Sequence, residues 1–166
     1  LTVPASGADL SPEEVLADTA ACVLGRTPAP AVGSVGGEWA VLGLVRSGYA
    51  LPEGYCQRYD EAVESCVSQN GGVLSAANYT EYARVSLALT AIGRAPRHVG
   101  GADLLAPLVD YRKVVRQGAN GAAWALIALD AGGYAVPEAP GAAVQATRQL
   151  YVDFLLASQL PEGGWS

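Results

Sequence analysis

Apolar and polar positions follow one another along this chain in a pattern that occurs three times and starts a fourth time. An apolar run begins at residues 39, 84 and 124, and each run ends nine residues later at a glycine. The runs are Trp39 to Gly48, Arg84 to Gly93 and Trp124 to Gly133, with Trp165 opening the fourth. Their starts lie 45, 40 and 41 residues apart. A period near 40 with one apolar and one amphipathic helix per unit predicts an all-α repeat array.

The segments between the apolar runs predict amphipathic helices. The sequence Ser11-Pro12-Glu13-Glu14 has the features of a helix start: a hydroxyl N-cap, a proline at the first helical position and acids in the first turn. A helix that is apolar on every side is expected to be buried on every side, whereas an amphipathic one covers it from outside. We therefore predict about seven helices in two alternating layers. Outer helices are expected at about 11–24, 53–68, 101–111 and 141–158, and inner helices at 36–47, 79–92 and 120–131.

Local signals refine these predicted bounds. Asn78 and Glu81 have the spacing of a capping box at the start of the second inner helix. Pro107 is expected to limit or bend the outer segment at 101–111, because proline removes a backbone donor. Residues 1–10 are predicted to be a lead-in, and residues 11–166 one helical domain.

Composition narrows the classes of partner. Of the 166 residues, 51% are hydrophobic and 16% charged, which is typical of a folded domain with a sizeable core. The net charge of −6 argues against a nucleic-acid partner, since such surfaces are basic. No apolar run reaches the roughly 20 residues that span a bilayer, so no membrane insertion is expected. The absence of Met and the fourth repeat that begins at Trp165 indicate a fragment of a longer protein.

The three cysteines form no metal or redox motif. Cys56 and Cys66 fall about 15 Å apart on one predicted helix and cannot pair with each other. A bridge from Cys22 to either of them stays open, but the favoured interpretation is three small buried apolar residues.

The last predicted outer helix carries a family resemblance. The stretch from Phe154 to Trp165, with Gln159 before a short acidic turn and Gly163-Gly164-Trp165 after it, resembles the Gln–Trp repeat of terpene cyclases and protein prenyltransferases. Degenerate copies lie at Gln117 to Trp124, at 69–72 and at 36–39. The resemblance implies a partial α/α toroid, an inner ring of helices inside an outer ring. Gln117, Gln159 and the tryptophans 39, 124 and 165 are then interpreted as structural repeat residues that tie helix ends and cover junctions.

Within that superfamily the chain looks most like bacterial surface or secreted proteins labelled prenyltransferase/squalene-oxidase repeat proteins. Their toroid also resembles the helical domain of the vitamin B12 carriers transcobalamin and intrinsic factor. The resemblance implies a binding or scaffold module of an exported, cell-surface bacterial protein. Two alternatives stay open: a fragment of a terpene-cyclase or prenyltransferase-type enzyme whose catalytic residues lie outside this chain, and a corrinoid-carrier-like ligand-binding domain.

The residues that such enzymes need are not evident in the sequence. No Asp-x-Asp-Asp cluster is present, and Asp103, Asp110 and Asp130 are isolated in the sequence. His98 is the only histidine and is expected in a surface loop, so no zinc triad or Ser-His-Asp set is predicted. We expect no catalytic residue, no metal and no cofactor.

Polar residues at the starts of the predicted inner helices are the candidate binding residues: Glu38, Tyr79, Glu81, Tyr82, Arg84 and Asn120. Arg84 stands where the other copies have Trp, so only this repeat has a charge there. We predict that Arg84 and the free amides of its helix's first turn hold an anion of an unidentified small molecule or protein. The alternative is a structural ion pair of Arg84 with Glu38 or Glu81. Self-association through open toroid edges is a further expectation.

Overall fold

All regular secondary structure in the part that the computed structural model describes, residues 10–33 and 36–165, is helical. Within these residues there is no β-strand, only three isolated bridges. The α-helices are α1 (Pro12–Arg26), α2 (Glu38–Ser47), α3 (Tyr55–Gln69), α4 (Tyr79–Ala91), the short α5 (Tyr111–Val114), α6 (Gly118–Ala131) and α7 (Arg148–Ala157). Two 3₁₀ turns, Ala106–Val109 and Val115–Gln117, flank α5. The prediction of an all-α fold with about seven helices is confirmed. The predicted lead-in lies, except for residue 10, outside the described residues.

The three apolar helices lie side by side. Helix α4 packs between α2 and α6, while α1 packs on α2 and α7 packs on α6. Helix α3 lies outside this row and turns Tyr55, Tyr59, Val63 and Val67 into the core, every fourth residue along one face. The 3.6-residue period of its sequence thus places the polar residues of α3 in solvent.

The predicted start of α1 is confirmed in detail. The Ser11 hydroxyl accepts a hydrogen bond from the Glu14 amide at 3.2 Å, and the Glu14 carboxylate accepts one from the Ser11 amide at 2.8 Å. The capping box predicted at Asn78 is not formed. Its side-chain amide instead donates to the Glu81 carboxylate at 3.3 Å, and no side chain of its own helix caps α4.

The outer segments at 101–111 and 141–158 are shorter than predicted. Residues 106–109 form a 3₁₀ turn rather than a helix, and Pro107 stands in its first turn. Residues 144–146 are held outside the helix because the Ala146 amide donates to the Val109 carbonyl at 2.8 Å. Helix α7 therefore begins only after its N-cap, Thr147, whose hydroxyl accepts from the Leu150 amide.

The cysteines are free, and one of them contradicts the predicted burial. Cys22 is exposed on α1, while Cys56 and Cys66 are half-buried on α3. Cys22 lies on a helix that is covered on one side only, and the short apolar pattern of α1 does not show which side that is. His98 is exposed, as predicted for a loop residue.

Candidate functional site

The inner helices are not buried on every side, contrary to the prediction. Trp39 on α2 is 36% exposed and Ile127 on α6 is 44% exposed. On α4, Arg84 and Leu87 are partly exposed, whereas most of the helix is fully buried. Because α2, α4 and α6 form one row, these positions define a continuous surface, which we call the open face. It is the side of the row that no outer helix covers.

Two tryptophans meet on the open face. The indole rings of Trp39 and Trp124 have their centroids 5.0 Å apart at an interplanar angle of 54°. Since α2 and α6 both flank α4, this contact joins the two helices on either side of the one that carries Arg84.

Arg84 has no ionic partner within the described residues. The ion pairs found there are Arg94–Asp60, Arg97–Asp103, Lys113–Asp110 and Arg148–Asp130. Neither the Arg84–Glu38 nor the Arg84–Glu81 ion pair is formed at contact distance. Asp103, Asp110 and Asp130, which are isolated in the sequence, each have a basic neighbour in space.

Glu38 lies beneath the open face rather than on it. It occupies the first position of α2 and is 1% exposed. Its Oε1 accepts a hydrogen bond from the Gly33 amide at 2.7 Å, whereas Oε2 has no partner. Burial raises the pKa of Glu38 above its ordinary value, and the charge of Arg84 opposes this increase. Glu38 and Arg84 therefore interact through space without a direct contact.

Tyr59 completes this buried group from the outer helix α3. Its side chain is fully buried and its hydroxyl has no hydrogen-bond partner. Burial raises its pKa well above the ordinary value, the charge of Glu38 raises it further, and Arg84 lowers it. The group formed by Glu38, Tyr59 and Arg84 thus joins an inner-helix start to the outer layer.

An anion site at the start of α4 requires free amides in its first turn, but one of these amides is already hydrogen-bonded. The Thr80 amide donates to the Gln117 side-chain oxygen at 3.0 Å, and the Gln117 amide approaches the Thr80 hydroxyl at 3.3 Å. Gln117 comes from the following repeat, 37 residues further along the chain. This amide therefore cannot also bind a ligand, and an anion at Arg84 relies on the guanidinium itself.

The remaining candidate residues lie elsewhere. The Tyr82 hydroxyl accepts from the Leu74 and Ser75 amides at 3.0 and 3.2 Å and donates to the Ser75 carbonyl. Tyr79 and Tyr82 line a cleft that does not include Arg84. Asn120 is exposed and lines another cleft, of about 730 Å³, together with Trp165. The structure thus divides five of the six candidate residues between three places, and the sixth, Glu81, acts on Glu38 through its charge.

Two residues of the Gln–Trp elements, Trp165 and Gln117, bind helix ends through their side chains, whereas Gln159 does not in the described part of the chain. The Trp165 indole N–H donates to the Leu155 carbonyl at 2.7 Å, so it satisfies an acceptor in the last turn of α7. Gln159 pairs with Trp165 through the backbone and makes no side-chain hydrogen bond within the described residues. Gln117 instead bonds the start of α4. Equivalent positions in the repeat therefore do not make equivalent contacts.

Within the described residues no group of three or more His, Cys, Asp or Glu side chains is placed to hold a metal ion. None of the described helices is both long and apolar enough to cross a membrane. No family model, no curated protein and no solved structure matches this chain.

Proposed function

We propose that this chain is a binding and scaffold module without catalysis of its own, and that Arg84 recognises an anionic group. The observation that carries the proposal is the position of Arg84: half-buried on the open face, which also carries the Trp39–Trp124 pair, and without an ion pair among the described residues. A partly desolvated guanidinium without a partner is unfavourable, and a carboxylate or phosphate would supply charge-assisted hydrogen bonds. The bound group would belong to a small molecule or to a partner protein.

The burial of Glu38 supports the proposal that the anion bound by Arg84 comes from a ligand and is not the Glu38 carboxylate. A carboxyl group that is 1% exposed and has a raised pKa takes the neutral form more readily than an exposed one. In the neutral form it leaves Arg84 as the uncompensated charge of the group. An arriving anion then binds a cation with which the neutral Glu38 does not compete.

The wider architecture is part of the same proposal. The row of α2, α4 and α6, with α3 outside it, supports an arc of an α/α toroid of the kind that the Gln–Trp resemblance implies. The exported, cell-surface setting rests on that resemblance alone and stays a prediction. A second copy of the chain is the proposed partner of the exposed apolar side chains on α7 and α1.

The test is an anion titration of the wild type, Arg84→Gln and Arg46→Gln, with tryptophan fluorescence as the readout of binding. Arg46 is a matched control because it is exposed and lies on α2 beside Leu42 and Leu87, toward the other end of the helices. Inorganic phosphate and benzoate serve as probes, and the Trp39–Trp124 pair provides the signal. Loss of a charge-assisted hydrogen bond of about 1.5–3 kcal/mol should weaken binding by roughly tenfold to a hundredfold in Arg84→Gln only.

Thermal unfolding of the same variants separates binding from a structural role. If Arg84 serves a ligand, Arg84→Gln should melt within a few degrees of the wild type. Equal anion affinity in wild type and Arg84→Gln would exclude the proposal. So would a large loss of stability without any anion binding by the wild type.

A further inference from the structure

A second cleft, lined by neither Arg84 nor the tryptophans, has a different chemistry. It has a volume of about 630 Å³, within the range of ligand-binding pockets. Three separate segments border it: 73–82, 106–113 and 138–142. Its charged lining residues are Asp110, Lys113 and Glu138, so acids outnumber bases.

Asp110 is a buried carboxylate in the wall of this cleft. Its side chain is 9% exposed, and its Oδ2 lies 3.1 Å from the Lys113 ammonium. Its second oxygen, Oδ1, is buried without a hydrogen-bond partner. A buried carboxylate with an unused oxygen retains the capacity to accept a further donor.

Two tyrosine rings stand beside this carboxylate. Tyr79 and Tyr82 have centroids 6.0 Å apart, and both line the cleft. The hydrogen bond to Asp110 raises the pKa of Lys113, and Tyr79 raises it further. An ammonium group between a carboxylate and a tyrosine is therefore stabilised in the positive form. Aromatic faces and carboxylates together favour ammonium and guanidinium groups.

We propose that this cleft is a binding site for an alkylammonium or guanidinium group supplied from outside, and that Lys113 occupies its place in the free protein. The Asp110 carboxylate, the Tyr79 and Tyr82 rings and the second acid, Glu138, recognise the cation. This inference is independent of the anion proposed at Arg84, because the two sites share no residue.

Lys113 is suited to leave the site. Its side chain is 54% exposed and it belongs to the four-residue helix α5. When this half-exposed lysine swings into solvent its ammonium is hydrated again, but the buried Asp110 carboxylate then needs a replacement cation. An incoming ammonium replaces the Lys113 ion pair with one of the same kind and adds contact with the tyrosine rings.

The test is an NMR titration of the folded chain that follows the amides of Ser75, Gly141 and Ala142 at the rim of the cleft. The probes are n-butylammonium and the peptide acetyl-Gly-Lys-Gly-amide, which distinguish a free amine from a protein side chain; n-butanol and inorganic phosphate are the neutral and anionic controls. We expect saturable shifts with the two cationic probes only. Lys113→Met should bind them roughly fivefold more tightly, because the competing ammonium is gone.

Asp110→Asn should weaken binding at least roughly tenfold. The matched control is Asp130→Asn, which removes an aspartate of an exposed ion pair outside the cleft and should bind like wild type. If Asp110→Asn does not fold, Tyr79→Leu and Glu138→Gln decide, and each should weaken binding measurably. Unchanged affinity in Lys113→Met and in the cleft variants, or equal shifts with butanol or phosphate, would overturn the proposal.

Discussion

Glu38 and Arg84 illustrate how much a single side chain's surroundings depend on parts of the chain far from it. Both occur near the start of an apolar helix, and the sequence suggests that they either pair or bind a ligand together. In the structure a short loop covers Glu38 through the Gly33 amide, while Arg84 stays on the open face. The two side chains differ in burial, since Glu38 is buried and Arg84 is partly exposed. The spacing of residues along one helix does not reveal this difference.

Burial of Glu38 predicts a specific pH dependence of stability. Its folded-state pKa is raised above the ordinary value of 4.5, so the native state binds this proton more tightly than the unfolded state. Its contribution to stability is therefore complete below about pH 4.5 and is lost as the pH rises through the raised pKa. Glu38→Gln cannot ionise and still offers an oxygen to the Gly33 amide. We expect this variant to melt about 2–4 °C above wild type at pH 8, corresponding to about 1 kcal/mol.

Thermal melts between pH 4.5 and 8 check this expectation. Glu13→Gln is the control, because it makes the same substitution at a carboxylate that is exposed on α1. Parallel profiles of wild type and Glu38→Gln would show that the buried carboxyl does not set the slope.

At the scale of single residues, the sequence predicted what depends on near neighbours. The Ser11 N-cap and Pro12 at the first helical position were predicted correctly, and the Ser11–Glu14 capping box found there is complete within four residues. The surroundings of Tyr82 and Lys113 could not be predicted, because they are formed by contacts with the 73–75 and 106–110 segments. No spacing in the sequence marks Asp110 as buried, although its pairing with Lys113 at i+3 is a local signal that was available.

Among the secondary-structure elements, the inner helices were predicted within two residues, whereas two outer ones were not. The inner helices have long apolar runs and a glycine close to each end, such as the left-handed Gly48 after α2. The segments at 101–111 and 141–147 are predicted to be helical but form turns instead. Apolar residues in the first segment are nevertheless in the core: Leu104, Leu105 and Leu108 are buried. A continuous apolar stretch does not distinguish a helix from a buried turn.

The bond from Gln117 to α4 predicts an asymmetry between two equivalent glutamines. Gln117→Ala removes the acceptor of the Thr80 amide, the contact that replaces the missing side-chain cap of α4. Loss of such a cap should lower the free energy of unfolding by about 1–2 kcal/mol. Gln159→Ala is the matched control, since Gln159 is exposed and should change stability by less than about 0.5 kcal/mol. Urea unfolding with an unchanged m-value measures both, and equal effects would contradict the assigned role.

At the scale of the whole molecule, the row of helices has two open edges. Helix α7 exposes Val152 and Leu156, four residues apart, and Leu160 is exposed in the turn that follows the helix; Leu156 is 62% exposed. Helix α1 at the opposite edge exposes Val15 and Leu16 at nearly half of their surface. The order of helices in the row could be predicted from the repeat, because neighbouring repeats bury each other's apolar faces. The exposure of the two edges could not be predicted, because the pattern of apolar residues in one helix does not indicate how many helices pack against it.

The exposed edge of α7 predicts that the purified chain self-associates. Contiguous exposed apolar side chains favour association, and a second copy offers the matching edge at α1. Leu156→Lys places a charge in the centre of this stripe and should shift the chain to monomer in sedimentation velocity over a dilution series. Ile127→Lys is the control: it adds the same charge at a residue that is 44% exposed on the open face, away from either edge, and should leave association unchanged. A wild-type chain that stays monomeric at every concentration would contradict the role of the edges, whereas loss of association in both variants would assign the contact to the open face instead.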